Sequence, residues 1–231
     1  MPADGLVGVT AAAFDELGFA LLPEILDADE CSAIEPAPLP EGCVGGSRCL
    51  LPLAWCASLA RRLQAHPAIR PLMPASHVAV QCTYFEKSAA RNWLVGLHQD
   101  LSIPVARRVD APELKGWSEK QGELHVQPSR AVLETLIALR LHIDPCGDAD
   151  GPLRFVPGSH RRGIFDPATA LAERASSGEV VCSATRGSVL AMRPLTLHAS
   201  SKSTGQGRRR VLHFLFGPRD LPFGLEWPMV I

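Results

Sequence analysis

Charge of one sign is what this chain most conspicuously lacks. Its 231 residues hold 23 lysines and arginines against 24 aspartates and glutamates, for a formal net charge of -1. No global field therefore draws it to nucleic acid or to an anionic membrane surface. Long hydrophobic runs are missing as well. The stretch Val189 to Leu197 is broken by Arg193 and Pro194 and falls well short of a bilayer span, so no membrane association is expected. Met1 to Thr10 has no basic start followed by a long apolar stretch, which argues against a secretory signal. There is no CxxC pair. The seven cysteines (Cys31, Cys43, Cys49, Cys56, Cys82, Cys146 and Cys182) are odd in number and fit reduced thiols in a cytoplasm better than a disulfide framework. Cys43 and Cys49 could be read as a metal pair, but no second pair follows. Cys82 and Cys182 lie in β-like apolar stretches and read as small buried hydrophobes. Internal repeats and low-complexity tracts are absent, and so is the HExxH signature of helical zinc sites.

What is present suits one domain with a sizeable core, spanning 1–231. Helical support is expected over about 1–75 and a β core over about 76–220. Ala11 to Leu17 reads as a short helix ended by Gly18, followed by a strand at Phe19 to Leu22. Asp27 can cap a second helix through Ile34, and Ala54 to Ala65 has helical apolar spacing. Glu35 to Cys49, rich in Pro and Gly, reads as a loop. Strands are expected at Val78 to Phe85, Thr135 to Ile143, Leu153 to Val156, Val180-Val181, Val189 to Ala191, Thr196 to His198 and Val211 to Phe216. Arg107 to Ser129 reads as a long loop of the functional kind, free to close over a pocket, and Pro167 to Ala175 as a helix. Many short strands with helices gathered at the N-terminus point to a mainly β sandwich or jelly roll.

Two sites a hundred residues apart carry the chemistry: His98-Gln99-Asp100, and His198 followed by Arg208, Arg209 and Arg210. Residues two apart on a strand share a side, so His98 and Asp100 can approach one ion, with His198 arriving from a distant strand. Two histidines and a carboxylate occupy one face of a metal and leave the other open, as a non-haem Fe(II) centre needs for a co-substrate and dioxygen. Zinc is the rival ion. An arginine one strand beyond the last ligand can hold the far carboxylate of a 2-oxo acid. Arg140, His142 and Asp144 alternate with Leu139, Leu141 and Ile143, giving one polar and one apolar face. If the polar face points inward, Arg140 and His142 are substrate-binding candidates, and a buried Arg140 calls for an anionic substrate group or a nearby acid. Trp93, near the first ligand, is a candidate wall of the substrate pocket. His66, His77 and His125 show no partner pattern and read as surface or core residues.

The elements His98-Gln99-Asp100, Gly151-Pro152-Leu153 leading into Val156-Pro157-Gly158-Ser159-His160, and His198-Ala199-Ser200 with Arg209 eleven residues after His198 occur together in order. In this the chain resembles the phytanoyl-CoA dioxygenase family of Fe(II)/2-oxoglutarate-dependent oxygenases, from the Gly18-Phe19 strand to about Trp227. The resemblance implies a double-stranded β-helix (a cupin-like jelly roll) with flanking N-terminal helices, and iron held by His98, Asp100 and His198. It implies that Arg209 grips the C5 carboxylate of 2-oxoglutarate, with Ser200 and Gln81 also contacting that co-substrate. Lys87, at a strand end, can help neutralise a carboxylate or simply face solvent. Arg208 and Arg210 read as solvated, and His160 as a structural hydrogen-bonding residue. Related halogenases carry a small residue where Asp100 stands, so the resemblance implies oxygenation. The expected activity is hydroxylation of a small organic substrate using O2, with release of succinate and CO2. The alternative is a non-catalytic or zinc-binding small-molecule-binding protein of the same fold.

Overall fold

The computed structural model describes residues 10–35 and 46–231. Its elements run α1 (Ala11–Leu17), β1 (Phe19–Leu22), α2 (Ala28–Ala33), β2 (Gly46–Ser47), α3 (Ala54–Ala65), β3 (His77–Lys87), β4 (Val95–His98) and β5 (Ile103–Pro104). They continue with β6 (Lys115–Lys120), β7 (Glu123–Gln127), α4 (Arg130–Thr135), β8 (Ile137–His142), β9 (Leu153–Phe155), α5 (Pro167–Ser177), β10 (Val180–Cys182), β11 (Val189–Met192), β12 (His198–Ser200) and β13 (Arg209–Pro218). Local chemistry explains the early boundaries. Gly18, at φ +85°, ends α1 with its N–H donating to Phe14 O at 2.8 Å. Asp27 and Glu30 cap α2 reciprocally, each side chain accepting the other's backbone N–H at 2.8 Å.

Two antiparallel sheets form the double-stranded β-helix. The larger has strand order β1-β11-β8-β13-β3-β2 and the smaller β10-β9-β12-β4. The helices α1 to α3 cover the outer face of the larger sheet. There Phe14, Leu59 and Leu63 pack with Leu139, Leu141, Leu212 and Phe214. Between the sheets, Phe19 stacks on Phe155 with ring centroids 4.5 Å apart, beside Leu190 and Met192, and Phe155 in turn lies 5.8 Å from the His198 ring. On the far side of the smaller sheet, Ala170 of α5 packs with Val156 and Leu197. The apolar face of β8 is thus the helix-covered one, and Arg140 and His142 point between the sheets.

Three readings of the sequence are corrected. The expected loop at Arg107 to Ser129 contains the β6–β7 hairpin, which β5 extends into a third sheet. Its two-residue turn, Gln121-Gly122, has φ of +54° and +80°, the double positive φ of a tight hairpin turn. The strand expected over Thr196 to His198 begins at His198 instead, because Thr196 is held in a turn by donation of its Oγ to Gly18 O at 3.0 Å. The expected loop at Glu35 to Cys49 carries β2 on its last residues; 36–45, including Cys43, lie outside the described residues. Among the described residues, no helix is long and apolar enough to cross a membrane.

Candidate active site

Neighbouring strands of the smaller sheet bring the distant histidines together. β12 pairs with β4 so that His198 sits directly opposite His98, with ring centroids 4.2 Å apart. Asp100, just past the end of β4, points its Oδ1 to within 3.6 Å of His98 Nε2 and its Oδ2 to within 3.8 Å of His198 Nε2. Both separations exceed a hydrogen bond. The three ligand atoms lie within 4.8 Å of one another, as ligands around one ion do.

The protonation pattern fits a metal. His98 Nδ1 lies 2.8 Å from Gly96 O, and His198 Nδ1 lies 2.8 Å from Thr196 O. A carbonyl only accepts, so each Nδ1 carries a proton, and in the neutral ring each Nε2 presents a lone pair towards Asp100. Burial opposes charge on Asp100, yet His198 and His98 outweigh it and hold the carboxyl well below its usual range. Burial likewise pushes His198 down to about 4, against the pull of Asp100. At His98 burial also lowers the pKa, but Asp100 overcomes it and raises the imidazole above 6.5. An ionised carboxylate and available imidazole nitrogens are the donor set Fe(II) takes.

Buried side chains fix the ligand backbone. Gln99, between the two ligands, donates to Leu195 O at 2.7 Å and Gly163 O at 2.8 Å and accepts from Phe165 N at 2.9 Å. Ser159 donates to Val156 O at 2.7 Å and accepts from Leu197 N at 2.8 Å, pinning the residue before His198. His160 turns away, its Nε2 3.1 Å from Asp15 O, in keeping with a structural role.

A second cluster lies two residues along β12. Ser200 Oγ accepts from Lys87 Nζ at 2.9 Å, and Lys87 also donates to Ser201 O at 2.6 Å. Lys87 is opposite Arg209 in the β3–β13 register, and both are almost wholly buried. Burial, then the Arg209 charge, pushes the Lys87 ammonium down to about 8. Arg209 donates only to neutral groups, chiefly Gly151 O, and its Nε has no partner. Gly151 is required here: at φ +65°, a Cβ would fall 2.3 Å from Ser201 O. Arg208 and Arg210, expected to be solvated, are ion-paired on the outer face. Arg208 reaches Glu86 at 2.8 Å, and Arg210 grips both Asp144 oxygens at 2.7 and 2.8 Å.

Triad and cation cluster open into one cavity of about 440 Å³, within the range of small-molecule sites. Trp93 lines it, with Lys87 Nζ 5.3 Å from its ring centre. Arg140 also lines it, stacked 5.4 Å over Phe85 and 3.2 Å from His213 Nδ1; burial and Arg209 push its guanidinium down to about 10. Gln81 is on the wall too, but its amide faces Glu123 at 3.3 Å and His125 Nε2 at 3.2 Å on the hairpin. His142 is not on the wall. It is buried, both ring nitrogens lack a partner, and burial with the Arg140 and Arg209 charges lowers it to about 3.

Sequence reasoning missed Arg48, Lys120, His125 and His213, which all line the cavity. The signal for His213 was present, since it shares the inward face of β13 with Arg209. His125 and Lys120 required the hairpin to be seen first.

The phytanoyl-CoA dioxygenase (PhyH) family model matches residues 48–211. No curated protein matches the sequence. Among solved structures, EctD from S. alaskensis with 2-oxoglutarate and 5-hydroxyectoine superposes with TM-score 0.68 at 18% identity, over 93% of this chain and 78% of that one. HygX from Streptomyces hygroscopicus with nickel and 2-oxoglutarate bound gives TM-score 0.61 at 18% identity, over 91% and 88%. SnoN, a non-heme alpha ketoglutarate dependent epimerase from nogalamycin biosynthesis, gives 0.61 at 16%, over 93% and 84%. At these identities the likeness establishes a shared fold.

Proposed function

This chain belongs to the phytanoyl-CoA dioxygenase family, and from that premise we propose that it is an Fe(II)- and 2-oxoglutarate-dependent dioxygenase that hydroxylates a small organic substrate, releasing succinate and CO2. One observation carries the reading. An open His98–Asp100–His198 face with free Nε2 lone pairs stands two strand residues from a buried cluster of Lys87, Ser200 and Arg209. Two residues of strand span roughly 7 Å, comparable to the reach of a five-carbon diacid from one carboxylate to the other. EctD and HygX were each crystallised with 2-oxoglutarate, which supports the same co-substrate here.

Iron and 2-oxoglutarate bound there would supply the oxidising chemistry, with dioxygen as oxidant. The chain's own residues do the rest. His98, Asp100 and His198 hold the ion on one side, and the Asp100 carboxylate offsets part of its charge. Arg209 offers a planar fork for two charge-assisted hydrogen bonds to the C5 carboxylate, and Ser200 and Lys87 complete that grip. The anchor fixes the direction in which the 2-oxo end meets the ion, and the cavity wall with Trp93 holds the substrate bond nearby and excludes water. Asp100 also fills the position that related halogenases leave to halide, which supports oxygenation.

The test is an anaerobic titration with Fe(II) and then 2-oxoglutarate. A weak visible charge-transfer band is expected for the wild type and is expected to vanish in His198→Ala. A wild-type protein that takes up zinc but never develops the band would replace this reading with the zinc-binding alternative.

A further inference from the structure

We propose that the primary substrate is an organic anion whose carboxylate or phosphate group is held between Arg48 and Lys120. The inference rests on the oxygenase reading for the identity of the cavity but draws on residues that reading does not use.

Arg48 follows β2, and Lys120 ends β6; both line the cavity. The hairpin turn fastens them side by side. Gln121 accepts from Arg48 N at 2.7 Å and donates to Gly46 O at 2.8 Å, so the residue next to Lys120 grips the backbone of Arg48. Two like charges are thereby held close. Burial and the Arg48 charge both lower the Lys120 pKa. Among the described residues neither cation is ion-paired. Glu123 lies directly opposite Lys120 in the β6–β7 register, but its carboxylate accepts from Gln81 at 3.3 Å and forms no ion pair with either cation. Like charges clamped together without an ion-pair partner raise the energy of the empty site, and an anion between them relieves it.

The rest of the wall points the same way. Arg48, Lys120, Arg140 and Arg209 line the cavity, and Asp100 is its one carboxylate among the described residues. Asp100 is committed to the ion. Arg140 is more than nine-tenths buried, its Nε has no partner, and no acid pairs with it. The two carboxylates of 2-oxoglutarate balance the ion's charge or the Arg209 and Lys87 pair, not both together with Arg48, Lys120 and Arg140. A cationic substrate would meet no free acid, and a neutral one would leave the excess charge uncompensated.

The probes are metabolite-sized compounds in matched sets: carboxylic acids, their primary amides, phosphate monoesters and their parent alcohols, and amines. Each is added to the protein loaded with Fe(II) and 2-oxoglutarate, reading thermal shift under nitrogen and succinate release in air. The acids or phosphates are expected to bind and stimulate turnover, with the carboxylate and phosphate arms deciding which group is recognised. In Arg48→Gln/Lys120→Gln, the KM for those compounds should rise at least tenfold while the 2-oxoglutarate titration stays as in the wild type. Preference for amides, alcohols or amines, or a panel in which no anion distinguishes wild type from the double variant, overturns the proposal. Loss of the charge-transfer band in the wild type would instead strike the oxygenase reading, and anion discrimination by thermal shift would survive it.

Discussion

Lys87→Met tests whether this lysine serves only the fold or also the proposed co-substrate site. The buried ammonium is displaced from 10.5 to about 8, with burial the main cause and Arg209 the next. That displacement amounts to as much as about 3 kcal/mol working against the charged form in the apo protein. Against it stand hydrogen bonds to Ser200 Oγ and Ser201 O, contributing about 1 kcal/mol each net. Opposed terms of similar size leave little, so Lys87→Met should change apo stability near neutral pH by no more than about 1 kcal/mol. Because the folded pKa is depressed, the unfolded chain holds a proton that the folded chain has lost between about 8 and 10.5. Wild-type stability should therefore rise through that window, and the variant should show no such rise. With 2-oxoglutarate bound as proposed the balance should reverse, since its C5 carboxylate would partner the ammonium. Losing one charge-assisted hydrogen bond costs about 1.5–3 kcal/mol, or a dissociation constant about 10- to 150-fold weaker. Urea unfolding of the metal-free protein at about pH 7 and about pH 9 tests the first half, and anaerobic titration of the charge-transfer band tests the second. A variant that binds 2-oxoglutarate as tightly as the wild type, with its apo form several kcal/mol less stable, would refute the assignment of Lys87 to the site.

Other expectations follow from the same geometry. Asp100 holds His98 above 6.5, so a proton must leave Nε2 before an ion binds there. Metal affinity should climb with pH through and somewhat above the ordinary histidine range, with proton release measurable by calorimetry in buffers of different ionisation heat; pH-independent affinity would contradict it. Arg210→Ala breaks a largely buried two-point contact with Asp144 and should cost about 1–3 kcal/mol of stability, while 2-oxoglutarate affinity stays put. Equal loss of affinity in Arg209→Ala and Arg210→Ala would show that the inner and outer faces of β13 were misassigned. Gly151→Ala places a methyl 2.3 Å from Ser201 O at φ +65° and displaces the carbonyl that receives Arg209. It should destabilise by about 1–3 kcal/mol and weaken 2-oxoglutarate as well, read by thermal unfolding and the same titration.

The legible parts of the sequence were those written in short-range signals. Gly18 ends α1 and Asp27 opens α2 because a left-handed C-cap and a capping box act within four residues. Period-two alternation was enough to sort Leu139 and Leu141 from Arg140 and His142, and the same period puts His213 on the face of β13 that carries Arg209. The choice between faces was harder. Whether the polar side of β8 met water or the cavity depended on helices α1 to α3 covering the other side, which is a tertiary fact. The β6–β7 hairpin was missed because Gly116 interrupts β6 with a register shift and because Gln121-Gly122 is a weaker turn signal than Asn-Gly. Arg48 was unreadable for a different reason: the hydrogen bond that places it crosses 73 residues of chain.

Arg140 shows why the inward face reads as functional. β8 lies between β11 and β13, covered on both faces, and a fold selected for stability alone would place an apolar side chain at 140. The guanidinium there has no acid partner and an unsatisfied Nε, and it sits near the positive Arg209. Its pKa is driven down to about 10, principally by burial, so its charge opposes the apo fold at neutral pH. Arg140→Met keeps much of the side-chain volume and the packing over Phe85 while removing that charge. The apo variant should melt at least as high as the wild type, and higher if the opposition exceeds the lost contact with His213. The ternary complex should move the other way: the anions that fill the cavity gain less from the variant, and ligand-induced thermal stabilisation should shrink. A variant less stable than the wild type without ligand, and stabilised equally with it, would mean that Arg140 serves packing and that the cavity's positive charge has no ligand to answer it.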